Sequence, residues 1–228
     1  VFRMREFEQA EMQYFVRPDE DEKYFEMWKE IRTAWWINVL GIPATKIRFT
    51  PHEKLAHYAK AAGDIEYAFP DGFDEVEGIH NRQDFDLGSH TKSQEEFNIH
   101  AKVMENKDST MKLSYSDPQT GETFIPYVIE TAMGTNRAML AVMLEAYTEE
   151  ELPDGKSRIV LKLKPWLAPV KAAVIPLARN VPELLDIATD IKNSLRKLNL
   201  GRIELENSGN IGKNYRRHDE IGTPVCIT

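Results

Sequence analysis

Acidic residues alternate with large apolar ones in three separated stretches of this chain: VFRMREFEQAE at the start, the pair GDIEY and EVEGIHNRQD, and VIETAMGTNR. Alternation with a period of two marks a β-strand whose faces meet different surroundings. An ionised carboxylate inside a sheet costs several kcal/mol unless a cation or a hydrogen-bonding partner meets it. Any fold of this chain must therefore either pair its strand acids with arginines on neighbouring strands or converge both on a ligand. The residues alone leave both open.

The rest of the chain arranges elements around these strands. RPDEDEKYFEMWKEIRTAWWINVLGI reads as a helix, with Asp19 as candidate N-cap and acids in the first turn. Phe25, Trp28, Ile31, Trp35 and Val39 recur at spacings of three or four, and Gly41 stands where the helix should end. Residues 1–16 read as one strand, 45–49 as a short strand and PHEKLAHYAKAAG as a short helix. DIEYAF and EVEGIH bracket a PDG turn, a hairpin signal. After an irregular polar stretch over 91–124, PYVIETAMGTNRAMLAVMLEAYTEEEL gives a strand, a glycine turn and an apolar helix from about Arg137 to Tyr147.

The prolines of LPDGKSRIVLKLKPWLAPVK suggest a boundary, with one domain over 1–165 and a second over 166–228. Beyond it, KAAVIPL, a helix over 182–198 with Leu184, Ile187, Ile191 and Leu195 on one face, RIELE, a glycine-rich basic loop and PVCIT alternate as βαβαβ. This predicts an α+β protein: an antiparallel-sheet core followed by a small α/β domain.

Charge narrows the partners. Residues 171–228 hold nine Lys and Arg against seven Asp and Glu, whereas the rest carries ten net negative charges. An acidic body does not draw polyanions by bulk charge, so nucleic-acid contact must come from a local patch, and KNYRRH is the best one. A solvated basic loop explains the same residues equally well. The single Cys226 excludes an intrachain disulfide and fits packing in a reducing compartment. No run of about 18 apolar residues predicts a membrane span. The six histidines show no zinc-ligand spacing, and neither a Walker loop nor GxGxxG nor GxSxG occurs. GTNR at the start of a helix offers a helix N-terminus and Arg137 to an anion, a modest signal.

These same stretches resemble the class II aminoacyl-tRNA synthetases, and within them the dimeric glycyl-tRNA synthetases. FRMREFEQAEMQYFV resembles the second half of motif 2, EVEGIHNRQDFDLGSHTK the central ATP-side strand and turn, and IETAMGTNR motif 3. LAPVKAAVIPL through NIGKNYRRHDEIGTPVCIT is similar to the anticodon-binding domain. By that comparison the chain starts after motif 1 and the FRNE-type half of motif 2 and stops short of the usual end of the anticodon domain. Such a piece is expected to turn over little by itself.

The resemblance implies ligation of glycine to tRNA(Gly) through a glycyl-adenylate, with ATP and Mg2+, in a cytoplasmic homodimer. It implies that Arg3 and Arg137 hold phosphates and Phe7 stacks on adenine, with Glu75, the Val76 backbone and Gly134 on the ATP side and Glu75 toward the metal. It implies that Glu11, Glu66 and Glu130 surround the glycine ammonium, that Arg82 faces its carboxylate, and that Lys213, Arg216 and Arg217 meet the anticodon. Two positions depart from the family pattern: Ala132 stands where a serine would help hold the ammonium, and Asn136 where an acid often precedes the motif 3 arginine. Thr131 has the hydroxyl but should point to the opposite face of the strand. An accessory or tRNA-binding protein without catalysis is the alternative, and a purely structural module the third reading.

Overall fold

The computed structural model describes residues 2–228, which form two compact units divided between Ala141 and Val142. The first unit is built on a five-stranded antiparallel sheet. In chain order its elements are β1 (Gln9–Val16), α1 (Asp21–Ala34), β2 (Ile47–Pro51), β3 (Ala61–Phe69), β4 (Gly72–Gln83), the short α2 (Phe85–Ser89), the small ribbon of β5 (Tyr115–Ser116) and β6 (Thr123–Phe124), β7 (Tyr127–Gly134) and α3 (Thr135–Ala146). The division between the units falls within α3. The strand order β1-β7-β4-β3-β2 places the last strand in sequence between the first and the hairpin, so β7 is hydrogen-bonded on both sides.

One face of this sheet is closed by α1. Tyr14 on β1 packs its ring against Tyr24 and Trp28 of α1, and Phe25 meets Phe49 of β2. Ile65, Ile79, Val128 and Ile129 are fully buried within the sheet. Two polar ties pin the helix to the strands. Buried Asp21 accepts from Lys60 Nζ at 3.0 Å and Asn81 Nδ2 at 2.6 Å. Glu77, 1% exposed, accepts from Arg32 Nε at 2.5 Å and Nη2 at 3.1 Å, and from the Trp36 indole at 2.7 Å. A buried acid with three charge-assisted or indole donors is satisfied, whereas removing it strands a guanidinium and an indole N–H.

The antiparallel core, the β3–β4 hairpin and the α1 helix agree with the reading of the sequence, and four local expectations fail. Asp19 does not cap α1: Glu20 precedes the first helical residue, and no side chain closes the cap. The helix continues as a π-helical turn over Trp35–Val39, with the Leu40 N–H reaching back to the Trp35 carbonyl at 3.1 Å, before Gly41 ends it at φ +77°. A π turn inserts one residue and shifts the face by that much. Trp36 and Leu40, rather than Trp35 and Val39, are the buried pair. PHEKLAHYAKAAG forms no helix: it runs through turns into β3, because Ala61, Ala62 and Gly63 pair with Asn81, His80 and Ile79 on β4. Residues 2–8 are likewise not a strand.

The second unit carries the hairpin of β8 (Tyr147–Glu151) and β9 (Ser157–Leu161), then β10 (Ala172–Val174), α4 (Pro182–Arg196), β11 (Ile203–Leu205), α5 (Ile211–Glu220) and β12 (Cys226–Ile227). β10, β11 and β12 form a parallel sheet in the order β11-β10-β12, as the βαβαβ alternation predicts. Its core joins Ala172, Val174, Ala188 and Ile203, with Ile191 and Leu195 packed against them. Ile187, expected on that stripe, is 56% exposed. The segment expected as a basic loop is the helix α5, whose start is capped by Asn210 Oδ1 accepting from the Lys213 N–H at 2.9 Å. No helix among the described residues is long and apolar enough to cross a membrane.

Replacing Glu77 with alanine is expected to lower the unfolding free energy of the chain by about 3 kcal/mol, the scale of a broken buried pair, read by urea titration. A loss under about 1 kcal/mol, the scale of an exposed pair, would show that Glu77 does not anchor α1.

Candidate functional site

The sheet face opposite α1 is open. Side chains alternate along a strand, so the registers of β1, β7 and β4 decide what that face carries. Gln9, Glu11 and Gln13 of β1 lie opposite Gly134, Ala132 and Glu130 of β7, and Ala132 and Glu130 lie opposite Gly78 and His80 of β4. Thr131 points to the other face and is buried, as expected from its position on the strand. Gly78 and Ala132 are thus side by side, and the sheet between them has almost no side chain above it.

A cavity of about 380 Å³ occupies this face. That is the size of an ordinary small-molecule site. Arg3, Phe7, Glu75, Val76, Glu130, Ala132, Gly134 and Arg137, eight of the residues singled out in the sequence, line it. Both Arg3 and Met4 border it, as do Phe2 and Glu8, because residues 2–8 run across its margin instead of alternating between two faces. The Asn136 side chain helps hold that segment: its Oδ1 accepts from the Glu8 N–H at 3.0 Å, and the Thr135 N–H bonds to the Glu8 carbonyl at 3.0 Å.

Glu130 stands at one end of the cavity and Arg137 at the other. Gly134 stands four positions beyond Glu130 on β7, a rise of about 13 Å, and Arg137 follows in the first turn of α3. Glu130 is 8% exposed; Arg82 Nη1 lies 3.4 Å from its carboxylate and His80 Nδ1 lies 3.7 Å away. Burial raises the Glu130 pKa, Arg82 opposes that shift, and the neighbouring Glu11 carboxylate adds to it. Burial also lowers the His80 pKa, so this imidazole stays neutral and leaves the charge of Glu130 uncancelled from the cavity side. Glu11 itself is steadied by amide donors from Gln9 at 3.3 Å and Gln13 at 2.9 Å.

At the other end the Arg137 guanidinium donates to the Glu75 carbonyl at 2.5 Å and the Phe2 carbonyl at 3.2 Å, and lies 3.4 Å from the Glu75 carboxylate. Arg3 is exposed with no ion pair to a described residue, and the Phe7 ring is 65% exposed. Gly134 needs no special backbone angle: a Cβ there would meet only Arg137 at ordinary distances, so its role is to leave room rather than to make the turn. Gly78 is different, since a Cβ would come within 2.8 Å of the His80 ring.

Glu11, Glu66 and Arg82 do not line the cavity; Glu11 lies on the same sheet face, opposite Ala132. Glu66 is paired with Arg48 Nε at 2.5 Å, beyond a β-bulge between β3 and β4. Arg82 grips Asp86 through two bonds of 2.7 and 2.8 Å and lies over the Tyr58 ring, so it backs Glu130 from behind. Gly78 and His80 are lining residues that sequence reasoning did not select; the period-two alternation of EVEGIHNR, which puts Gly78, His80 and Arg82 on one face, was the available signal. In the second unit Lys213, Arg216 and Arg217 share one face of α5 at helical spacing, opposite the buried Asn214 and His218. Arg217 is bonded to Glu206 at 2.7 Å.

A family model described as the tRNA synthetase class II core domain (G, H, P, S and T) matches residues 1–147, and one described as the anticodon binding domain matches residues 171–228. Curated relatives cover the whole chain. A glycine–tRNA ligase of Thermus thermophilus is 55% identical over 230 residues, 45% of that protein's length, and one of Deinococcus radiodurans is 54% identical over 46% of its length. A glycine–tRNA ligase of Streptomyces coelicolor is 46% identical over 47% of its length. The chain spans about half the length of the curated relatives it matches.

The raised Glu130 pKa has a definite sign. The folded state holds that proton more tightly than the unfolded chain, so stability from this group is present in acid and is lost as pH rises from the ordinary carboxylate range through the elevated folded value. Glu130→Gln is therefore expected to gain stability relative to the parent as pH climbs through that window, measured by paired urea titrations. A difference that stays flat or runs the other way would show that Arg82 outweighs burial.

Proposed function

The chain belongs to the family of class II tRNA synthetase core domains, and from that premise we propose that it carries the adenylate-forming site of a glycine–tRNA ligase. The observation supporting this most directly is the cavity floor. Gly78 and Ala132 lie side by side beneath it, with the Glu130 carboxylate at that end, Glu11 outside the lining but opposite Ala132 on β1, and Arg3, Arg137 and Phe7 at the other end. A zwitterion without a side chain suits the first end and a nucleotide the second.

On this reading the glycine ammonium meets Glu130 and Glu11 on the sheet, and Ala132 leaves that contact to the carboxylates without the hydroxyl a serine would add. Arg82 is a positioning residue that keeps Glu130 ionised and oriented. Glu66 reaches the ligand only where Arg48 releases it. Exclusion of larger amino acids rests on a clash with the floor, which discriminates more strongly than a lost contact in a roomy pocket. Arg3 and Arg137 bind phosphate oxygens, and Phe7 offers a ring to the base. Glu75 and the Val76 backbone border the nucleotide, and Glu75 is the carboxylate that would hold Mg2+, which would neutralise phosphate charge there.

The reaction needs no protein nucleophile. A glycine carboxylate oxygen attacks the α-phosphorus of ATP, the bond to the β-phosphate oxygen breaks, and pyrophosphate leaves with the electron pair. The terminal ribose hydroxyl of the tRNA then attacks the carbonyl, and AMP leaves. The arginines supply positive charge along the line of displacement, and fixed geometry supplies the rest. Lys213, Arg216 and Arg217 present a cationic face of α5 to the anticodon of tRNA(Gly). The whole protein is expected to act as a homodimer in the cytoplasm.

Glycine-dependent exchange of labelled pyrophosphate into ATP tests this in a protein extended to the length of its relatives. Arg137→Ala is expected to lower the exchange rate about 100-fold or more, the scale of a lost charge-stabilising donor. Gly78→Ala is expected to raise the KM for glycine at least about tenfold, as crowding a well-fitted pocket does, with ATP binding retained. Exchange that is indifferent to Arg137 or equally fast with alanine would overturn the proposal, and tRNA binding with no exchange would favour a non-catalytic accessory.

A further inference from the structure

The second unit contains a buried cluster that the synthetase reading does not use. Glu204 on β11 and Glu206 just beyond it are two residues apart, so both side chains leave the strand on one face. His218 on α5 is two turns from the Asn210 cap and has no exposed surface. One ligand atom from each of these three residues lies within 4.8 Å of the other two.

The hydrogen bonds within the cluster leave one site open. His218 Nδ1 is joined to Thr223 Oγ1 at 2.8 Å, while Nε2, buried from solvent, has no partner among the described residues. Glu206 is 7% exposed; one of its oxygens accepts from the Ser208 amide at 3.2 Å and from the Ser208 hydroxyl, and the other from Arg217 at 2.7 Å. Glu204 is paired with Arg202 at 2.5 Å. The two arginines neutralise the acids from outside, yet neither offers anything to Nε2. A buried nitrogen left unpaired is uncommon and calls for a ligand.

We infer that Glu204, Glu206 and His218 form a binding site for a first-row divalent cation, with Zn2+ the ion of choice. An imidazole with two carboxylates is a donor set that Zn2+ accepts, and the nitrogen argues against Mg2+ or Ca2+. Ligand atoms of one ion lie about 3 to 4 Å apart when each bond is about 2 Å, so small rotations of Glu204, the least buried of the three, close the shell. Thr223 fixes the ring by holding Nδ1, the arrangement that aims the other nitrogen at a metal. Burial favours the neutral, coordinating form of His218, and the Ser208 bonds favour the ionised form of Glu206. The site belongs to a different unit from the cavity and stands whether or not the ligase reading does.

The test uses the 228-residue chain, stripped with a chelator and titrated with Zn2+ by calorimetry, while the imidazole nitrogens are followed by NMR. One strong site is expected, with a shift of the His218 Nε2 resonance at one equivalent. Glu204→Gln, at a partly exposed position that leaves the core intact, is expected to weaken that site at least about tenfold. His218→Gln is expected to abolish it in protein whose circular dichroism matches the parent. An unmoved Nε2 signal, equal affinity in Glu204→Gln, or saturation only at about millimolar Zn2+ would overturn the site.

Discussion

A sheet with two unlike faces is the constraint on which this structure depends. β7 is hydrogen-bonded on both sides and cannot turn, so each of its side chains is committed to one face or the other. The odd positions, with Ile129 and Thr131, join the apolar side beneath α1; the even positions, with Glu130, Ala132 and Gly134, form the cavity wall. Glu77 on the neighbouring strand shows what the alternative costs. One step out of phase with Gly78 and His80, it faces α1 and requires Arg32 and Trp36 to accommodate its charge. A one-residue slip of β4 would leave Glu77 without its donors, and one of β7 would bury Glu130 under the helix.

The same alternation separates charge along the cavity. Glu130 and Arg137 would neutralise each other if they met, and the rise of β7 keeps them at opposite ends. Each is instead satisfied locally, Glu130 by Arg82 and Arg137 by backbone carbonyls and Glu75. The two arrangements differ in kind. Arg82 is locked to Asp86 and cannot leave, so Glu130 retains a fixed neighbour on one side and an open side toward the cavity. Arg137 is held mostly by neutral carbonyls, which a phosphate oxygen outcompetes as an acceptor for a guanidinium.

Much of this was legible in the sequence, and the failures have physical causes. Period two located β3, β4 and β7 and set Glu130 and Ala132 on one face of β7, while the family resemblance supplied their roles. Glu75 reaches the cavity because the bulge in β4 reverses the alternation that would have set it beside Glu77. Period two also failed at residues 2–8, where Arg3, Met4 and Phe7 alternate in sequence but the backbone has no neighbouring strand to hold it extended. PHEKLAHYAKAAG has helix formers at helical spacing, yet its last residues are needed as partners for β4, and the ladder outweighs weak local propensity. Glu66 stands directly opposite Arg48 in the β2–β3 register and pairs with it, a cross-strand partner that alternation along β3 alone does not name. For the two core-facing residues at the end of α1, the π turn was the hidden variable.

In α5 the sequence misled in the opposite direction. Glycines and polar residues suggested a loop, and a loop leaves cations in no particular arrangement. A helix converts the spacing of Lys213, Arg216 and Arg217 into one face, and the spacing of Asn214 and His218 into the opposite one. A buried polar stripe on an otherwise charged helix is costly unless the sheet beneath supplies partners. Asn214 donates to the Glu206 carbonyl at 3.4 Å, and His218 stands beside the Glu204 and Glu206 carboxylates with one nitrogen uncommitted. The acids are two residues apart and the histidine twelve further on, a separation that matches no zinc-ligand spacing, because the strand and the helix, rather than a loop, bring them together. The helix that gathers the cations outside therefore also gathers a cation-binding donor set inside, and the one geometry follows from the other.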